Sequence, residues 1–315
     1  MPSFTLNSTF ATWEQLRDHL KSPAGGSLRV VDAPGRYAIV RYVKGVSDFS
    51  NPLVPLFRSV VWDKQTNTPV CVAPPKAQDG APPQGVTVQI SDFVDGVMIC
   101  GWRPADGSPP QIASRTSVGA RGTFYSDKTF AELFASTIAP AGTTEEFLTS
   151  VLEPGQFATF VLQHPEHKTV GGVAYPRICV TSVGSVVAGS VTIETSSATW
   201  PAALRSYALP SAVKVLGSDD EASKLLEMTG TKHNHTWQGL VFQETGTMRR
   251  WRLRNPQYVI VRTLRGAEAN PQARFIRLRA RGQMKQYLTY FKEESKMMWQ
   301  FEQTLRLRSQ ELYDA

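Results

Sequence analysis

Apolar residues fall at strand spacing in short runs along most of the chain and at helical spacing near its end. Residues 86–102 hold two apolar runs on either side of Asp95-Gly96, and Asp-Gly between such runs predicts a hairpin-like strand pair. Residues 28–31 and 37–43 are rich in β-formers around Pro34-Gly35. Residues 56–62 and 69–72 flank a polar turn, and 111–117, 157–163 and 177–183 read as further strands. A second hairpin is expected from 239–243 with 248–253.

Helices are predicted where the period changes. Trp13, Leu16 and Leu20 share a face behind a Thr12 cap, and 129–138, 143–152, 201–207 and 219–228 follow the same spacing. From Gly282 onward, apolar positions 284, 287, 288, 291, 298, 301, 305 and 312 predict one long terminal helix, with Trp299 and Phe301 as core or interface contacts. Residues 73–85 are proline-rich and expected to lack regular structure. Antiparallel hairpins mixed with intervening helices argue for an α+β fold rather than an alternating parallel sheet.

The 315 residues are 41% hydrophobic and 10% aromatic, as for a globular chain with a sizeable core. Cys71, Cys100 and Cys179 are far apart in sequence, so neither a disulfide framework nor a zinc site is suggested. No membrane span or export signal is visible, so an intracellular, reducing setting is expected, cytoplasmic or virion-associated rather than secreted.

Charge changes the picture. The net charge is +7, yet residues 249–281 hold ten arginines against one acid, Glu268, so that window carries +9 and the rest of the chain −2. Arginine forks fit phosphate oxygens, so Arg249, Arg250, Arg252, Arg254, Arg262, Arg265, Arg274 and Arg277 are the candidate nucleic-acid contacts. Arg250, Arg252 and Arg254 alternate along one strand and share a face. His233 with His235, and His164 with His167, read as loop residues rather than metal ligands, and Asp219-Asp220-Glu221 as the acidic first turn of a helix; no metal is expected.

Several motifs stand in a telling order: Arg58 before an apolar run, Pro74-Pro75-Lys76, Phe93-Val94-Asp95-Gly96, Ala113-Ser114-Arg115, a strand centred on Val161 followed by Pro165 to Lys168, Gln238-Gly239-Leu240-Val241, and Arg252-Leu253-Arg254. Across residues 35–265 this order resembles the bacteriophage-type ATP-dependent RNA ligases, a nucleotidyltransferase family. The resemblance implies a ligase-like domain over 1–265 and a helical extension over 266–315. It also implies a nucleotide-pocket remnant of Arg58, Lys76, Asp95, Gly96, Arg115, Gly239, Arg252 and Arg254.

The departures from the family pattern carry chemical consequences. Phe93 stands where the family has its nucleophilic lysine and has no nucleophilic atom. Val161 and Gln238 stand where carboxylates bind ribose and a divalent metal, and offer none. The expectation is therefore a catalytically inactive ligase-like protein that needs no cofactor and binds RNA or another phosphate-rich partner. Two alternatives stay open: an active ligase using ATP and magnesium with Lys76 or Lys44 as a displaced nucleophile, and a structural component of a particle or ribonucleoprotein that docks a protein partner through its terminal helix.

Overall fold

The computed structural model describes residues 3–5, 9–32 and 34–314. Its strands in chain order are β1 (Ser3–Thr5), β2 (Arg29–Val31), β3 (Tyr37–Arg41), β4 (Val60–Asp63), β5 (Thr68–Val72), β6 (Gln78–Asp79), β7 (Thr87–Asp92), β8 (Val97–Trp102), β9 (Gln111–Ser114), β10 (Gln156–Gln163), β11 (Arg177–Val187), β12 (Ser190–Glu194), β13 (Ser211–Val215), β14 (Gly239–Glu244) and β15 (Arg250–Arg254). The helices are α1 (Trp13–Lys21), α2 (Phe130–Ile138), α3 (Thr144–Val151), α4 (Ala202–Arg205), α5 (Asp219–His233), α6 (Pro256–Arg265), α7 (Pro271–Ala280), α8 (Met284–Tyr290) and α9 (Ser295–Asp314). The fold is α+β, as its sequence pattern predicts.

Three sheets organise these elements, with strand orders β1-β12-β11-β10-β8-β9, β13-β7-β14-β15-β6 and β2-β3-β4-β5. Strand pairing is antiparallel except where β15 meets β6. Helix starts are fixed locally: Thr129 and Thr143 each form a capping box, with Glu132 and Glu146, and Thr12 accepts from the Gln15 amide. Helices α2 and α3 cover the six-stranded sheet through Leu133, Phe134, Phe147 and Leu148 against Phe160 and Ile178. Trp237, Leu240, Phe242 and Trp251 form a separate cluster with Ala222 of α5.

The expected hairpin at Asp95-Gly96 does not form. Strand β7 pairs with β13 and β14, whereas β8 pairs with β9 and β10, so the two runs belong to different sheets. A two-residue Asp-Gly hairpin turn needs left-handed φ at both residues, and neither Asp95 nor Gly96 adopts it. Gly96 instead lies against β10, where an added Cβ would meet Leu162 O at 2.4 Å. Phe93 to Gly96 therefore crosses from one sheet to the other.

Two further expectations change. The proline-rich connector contributes Gln78–Asp79 as an edge strand beside β15. The single terminal helix is broken at Phe291, whose φ of −123° and ψ of 58° end α8 before α9 begins. The break lets Tyr287 and Phe291, both fully buried and with stacked rings 4.6 Å apart, enter the core while Glu294 reaches Arg265. Tyr258, Val261 and Leu264 of α6 share that core with α7 to α9.

Candidate functional site

A cleft of about 730 Å³ opens where the chain crosses between sheets, lined from the β7, β14 and β15 side and from the β8, β10 and β11 side. Phe93, Val161 and Gln238 all line it. The Phe93 amide donates to Gly239 O at 2.8 Å, and its ring has the Arg252 and Arg254 guanidinium groups 5.9 and 5.6 Å from its centre. Gly239 holds φ at +136° with an added Cβ facing Leu253 O at 2.1 Å, so only glycine lets β14 pass this close to β15. Gln238 is buried, and Val161 faces Met98 and Cys179 across β10.

The cations gather here from distant parts of the chain. Arg250, Arg252 and Arg254 alternate on β15, while Trp251 packs into the cluster behind it. Arg58, Lys76, Arg115 and Arg262 join them, making seven Lys or Arg side chains in the lining against two carboxylates, Asp92 and Asp95. Arg252 is held by Asp79 through bonds of 2.7 and 3.2 Å. Arg115 donates to Arg58 O and Tyr42 O, and Arg262 to Gly266 O. Lys76 stands 4.7 Å from the centre of the Phe49 ring.

Arg58, Arg250 and Arg254 have no carboxylate partner among the described residues. Arg250 reaches only Pro75 O, at 3.2 Å. Burial, followed by the nearby Arg58 and Arg252 cations, drives the Arg250 guanidinium down to about 9. Burial also lowers Arg58, with Arg115 and Arg252 adding to the effect, and it lowers Arg254, with Arg252 adding. These directions are those of cations lacking a counter-ion.

Asp95 is structural. Its carboxylate accepts from the Val170 and Gly171 amides at 3.1 and 3.3 Å and its backbone carbonyl accepts from Gln163 Nε2 at 2.7 Å. Burial raises its pKa despite these bonds. With Asp95 committed, an alkyl group and a neutral amide at 161 and 238, and Asp92 accepting from Trp237 Nε1 at 3.0 Å as the one other carboxylate of the lining, the donor set among the described residues is a poor fit for a divalent cation. Lys76 lies in the cleft; Lys44 is exposed in a turn and is not part of the lining.

Two solved structures similar to this chain are described as archaeal ATP-dependent RNA ligases. Form 2 is 14% identical, with 91% of this chain and 74% of that chain covered, and form 1 is 12% identical, with 90% and 79% covered. Their TM-scores are 0.47 and 0.48. No protein-family model and no curated protein matches the chain.

The remaining arginines of the 249–281 window correct the expectation of one basic face. Arg265 and Arg274 are 4% and 2% exposed and converge on Glu294, Arg265 also bonding to the Tyr287 hydroxyl and Lys168 O. Arg277 pairs with Glu268 at 2.7 Å and donates to the Leu264 and Arg265 carbonyls. Arg249 is taken by Glu244. Their charges are taken by the fold; the cleft arginines without a carboxylate partner among the described residues are Arg58, Arg250 and Arg254, and Lys76 lines the same cleft.

Phe124, Tyr125, Phe130 and His167 also line the cleft. In the sequence Phe130 reads only as part of the 129–138 helix and His167 only as a turn residue between Pro165 and Lys168, and nothing links either to Phe124 and Tyr125. Burial, with the Arg265 cation adding and a backbone hydrogen bond opposing, lowers His167 to about 4 against an ordinary 6.5. Its folded pKa is depressed, so the unfolded chain takes up the proton first as pH falls, and stability is lost between about pH 6.5 and 4. The wild type is expected to lose on the order of 2 kcal/mol more than His167→Phe over that range. Urea midpoints at several pH values read the difference, and parallel profiles would contradict the assignment.

Proposed function

We propose that this chain is a degenerate phage-type RNA ligase-like protein that no longer transfers nucleotides and binds RNA in its inter-sheet cleft, phosphates against cations. The observation that carries the reading is that Arg58, Arg250 and Arg254, without carboxylate partners among the described residues, line one cleft with Phe93, which stands at the position that corresponds to a nucleophile. A nucleophile must offer an electron pair, and a phenyl ring offers none. Guanidinium groups remain charged and suit phosphate, while being unfit to give up a proton. Lys76 lies in the cleft, but a displaced lysine would not replace the absent metal-binding acids. An intracellular, reducing setting belongs to the same reading; all three cysteines are free and buried.

The reading is tested by the salt dependence of RNA binding. Single-stranded RNA is expected to bind with log affinity falling by about 0.7 per phosphate contacted for each unit of log salt, or roughly 2 for three unpaired arginines. Fluorescence anisotropy between low and moderate salt measures it. A slope near zero, or no binding at low salt, would remove the RNA-binding reading.

A further inference from the structure

The cleft also has an aromatic part of its lining. Phe124 and Tyr125 meet edge to face at 4.3 Å between ring centres, Tyr125 and His167 at 5.7 Å, and Phe130 and His167 edge to face at 5.6 Å. All four line the same space as the unpaired arginines, and none of the four is fully buried. Four rings with surface left in a cationic cleft are more than a core requires.

The backbone is strained to put them there. Tyr125 holds φ at +60°, a left-handed conformation that is unusual for a bulky residue and persists only where its surroundings enforce it. The enforcement is visible: its hydroxyl donates to Gly266 O at 3.2 Å, and the Arg265 and Arg274 guanidinium groups lie 4.4 and 5.4 Å from its ring centre. Those cations are in turn fixed by Glu294. The helical unit thus holds the aromatic end in shape.

Ligand chemistry follows from both ends together. A methylated cation, the usual guest of an aromatic cage, is disfavoured because Arg265 and Arg274 already stand over Tyr125 and the cleft is positively charged. A flat, neutral ring joined to phosphate suits both halves. Base stacking on aromatic side chains is tolerant of sequence and works for any base whose face is free. His167 Nδ1 is buried with no hydrogen-bond partner among the described residues, so it is the ring face of His167 and not this atom that the cleft offers to a base.

Resting on the RNA-binding reading above, we infer that the Phe124, Tyr125, Phe130 and His167 end of the cleft stacks one unpaired base of a single-stranded nucleic acid whose phosphates lie against Arg58, Arg250 and Arg254. A base within a duplex has both faces covered and does not qualify. The cleft therefore selects single strands.

The test compares a six-residue adenosine RNA with an abasic hexamer of the same phosphate count, at one salt concentration, on the wild type and on Phe124→Leu. One stacked base is worth about a fivefold preference or more, so the wild type is expected to prefer the adenosine hexamer by at least that factor. Phe124→Leu keeps apolar bulk and is expected to bring the ratio to about one while leaving the abasic affinity unchanged. Equal wild-type affinity for the two hexamers overturns this inference and leaves the phosphate cleft standing. A variant that keeps the preference, or that weakens both hexamers alike, also overturns it. Binding of neither hexamer removes both readings together.

Discussion

Replacing Glu294 by alanine is expected to lower the unfolding free energy by about 3–5 kcal/mol, the range for stranding a buried charge by removing its partner. Glu294 is the carboxylate for two almost fully buried arginines, Arg265 and Arg274, and also accepts from the Tyr287 hydroxyl at 2.7 Å. Arg265 keeps Lys168 O and Tyr287 as partners after the change, but Arg274 Nε and Nη1 have no hydrogen bond among the described residues even now. Adding Arg274→Met to Glu294→Ala should therefore recover part of the loss by removing one of the two stranded charges. Urea midpoints at constant slope provide the comparison. A single-variant loss below about 1 kcal/mol would mean that water reaches the network, and that Tyr125 is not held by it.

The second large effect is expected on binding. Arg58→Gln, Arg250→Gln and Arg254→Gln together should weaken RNA binding roughly 50-fold at physiological salt and flatten the salt slope by about 2, for all sequences alike. Arg252 is left out of the set because Asp79 already holds it. The same triple variant should unfold at the wild-type temperature or slightly above it, since the three cations have no carboxylate partner among the described residues and Arg58 and Arg252 both depress Arg250. A variant that lost stability in proportion to binding would show that these arginines serve the fold. Unchanged affinity would place the RNA contacts elsewhere.

What the sequence made legible and what it hid divide by the range of the interaction. Thr129 with Glu132 and Thr143 with Glu146 are capping boxes closed within one turn, so α2 and α3 could be read directly. The alternation of Arg250, Arg252 and Arg254 is likewise local and survives as one cleft-facing row. Asp95-Gly96 misled because a turn signal says nothing of which strands will pair: β7 finds β14 about 150 residues further on, and the glycine answers to Leu162 O. Strand β13 is exposed along its whole length and lacks the half-buried alternation by which strands are recognised.

The site divides in the same way. Phe93, Val161, Gln238 and the neighbouring arginines could be assigned to one cleft because their order along the chain resembles a known family. The aromatic end could not, because Phe124-Tyr125 and Phe130 meet His167 only by tertiary packing. Arg265 and Arg274 looked like RNA contacts in sequence because their carboxylate lies 29 and 20 residues downstream, beyond any local pairing rule.

The central claim, an RNA ligase-like cleft that holds phosphate without covalent chemistry, is tested most directly by incubating the protein with labelled ATP or GTP and magnesium or manganese, denaturing it, and looking for label on the chain. No label is expected on the wild type. None is expected on Phe93→Lys either, because Val161 and Gln238 still supply no carboxylate for a metal. A stable phosphoamide on the wild-type chain would contradict the account and turn attention to Lys76, the lysine that lines the cleft.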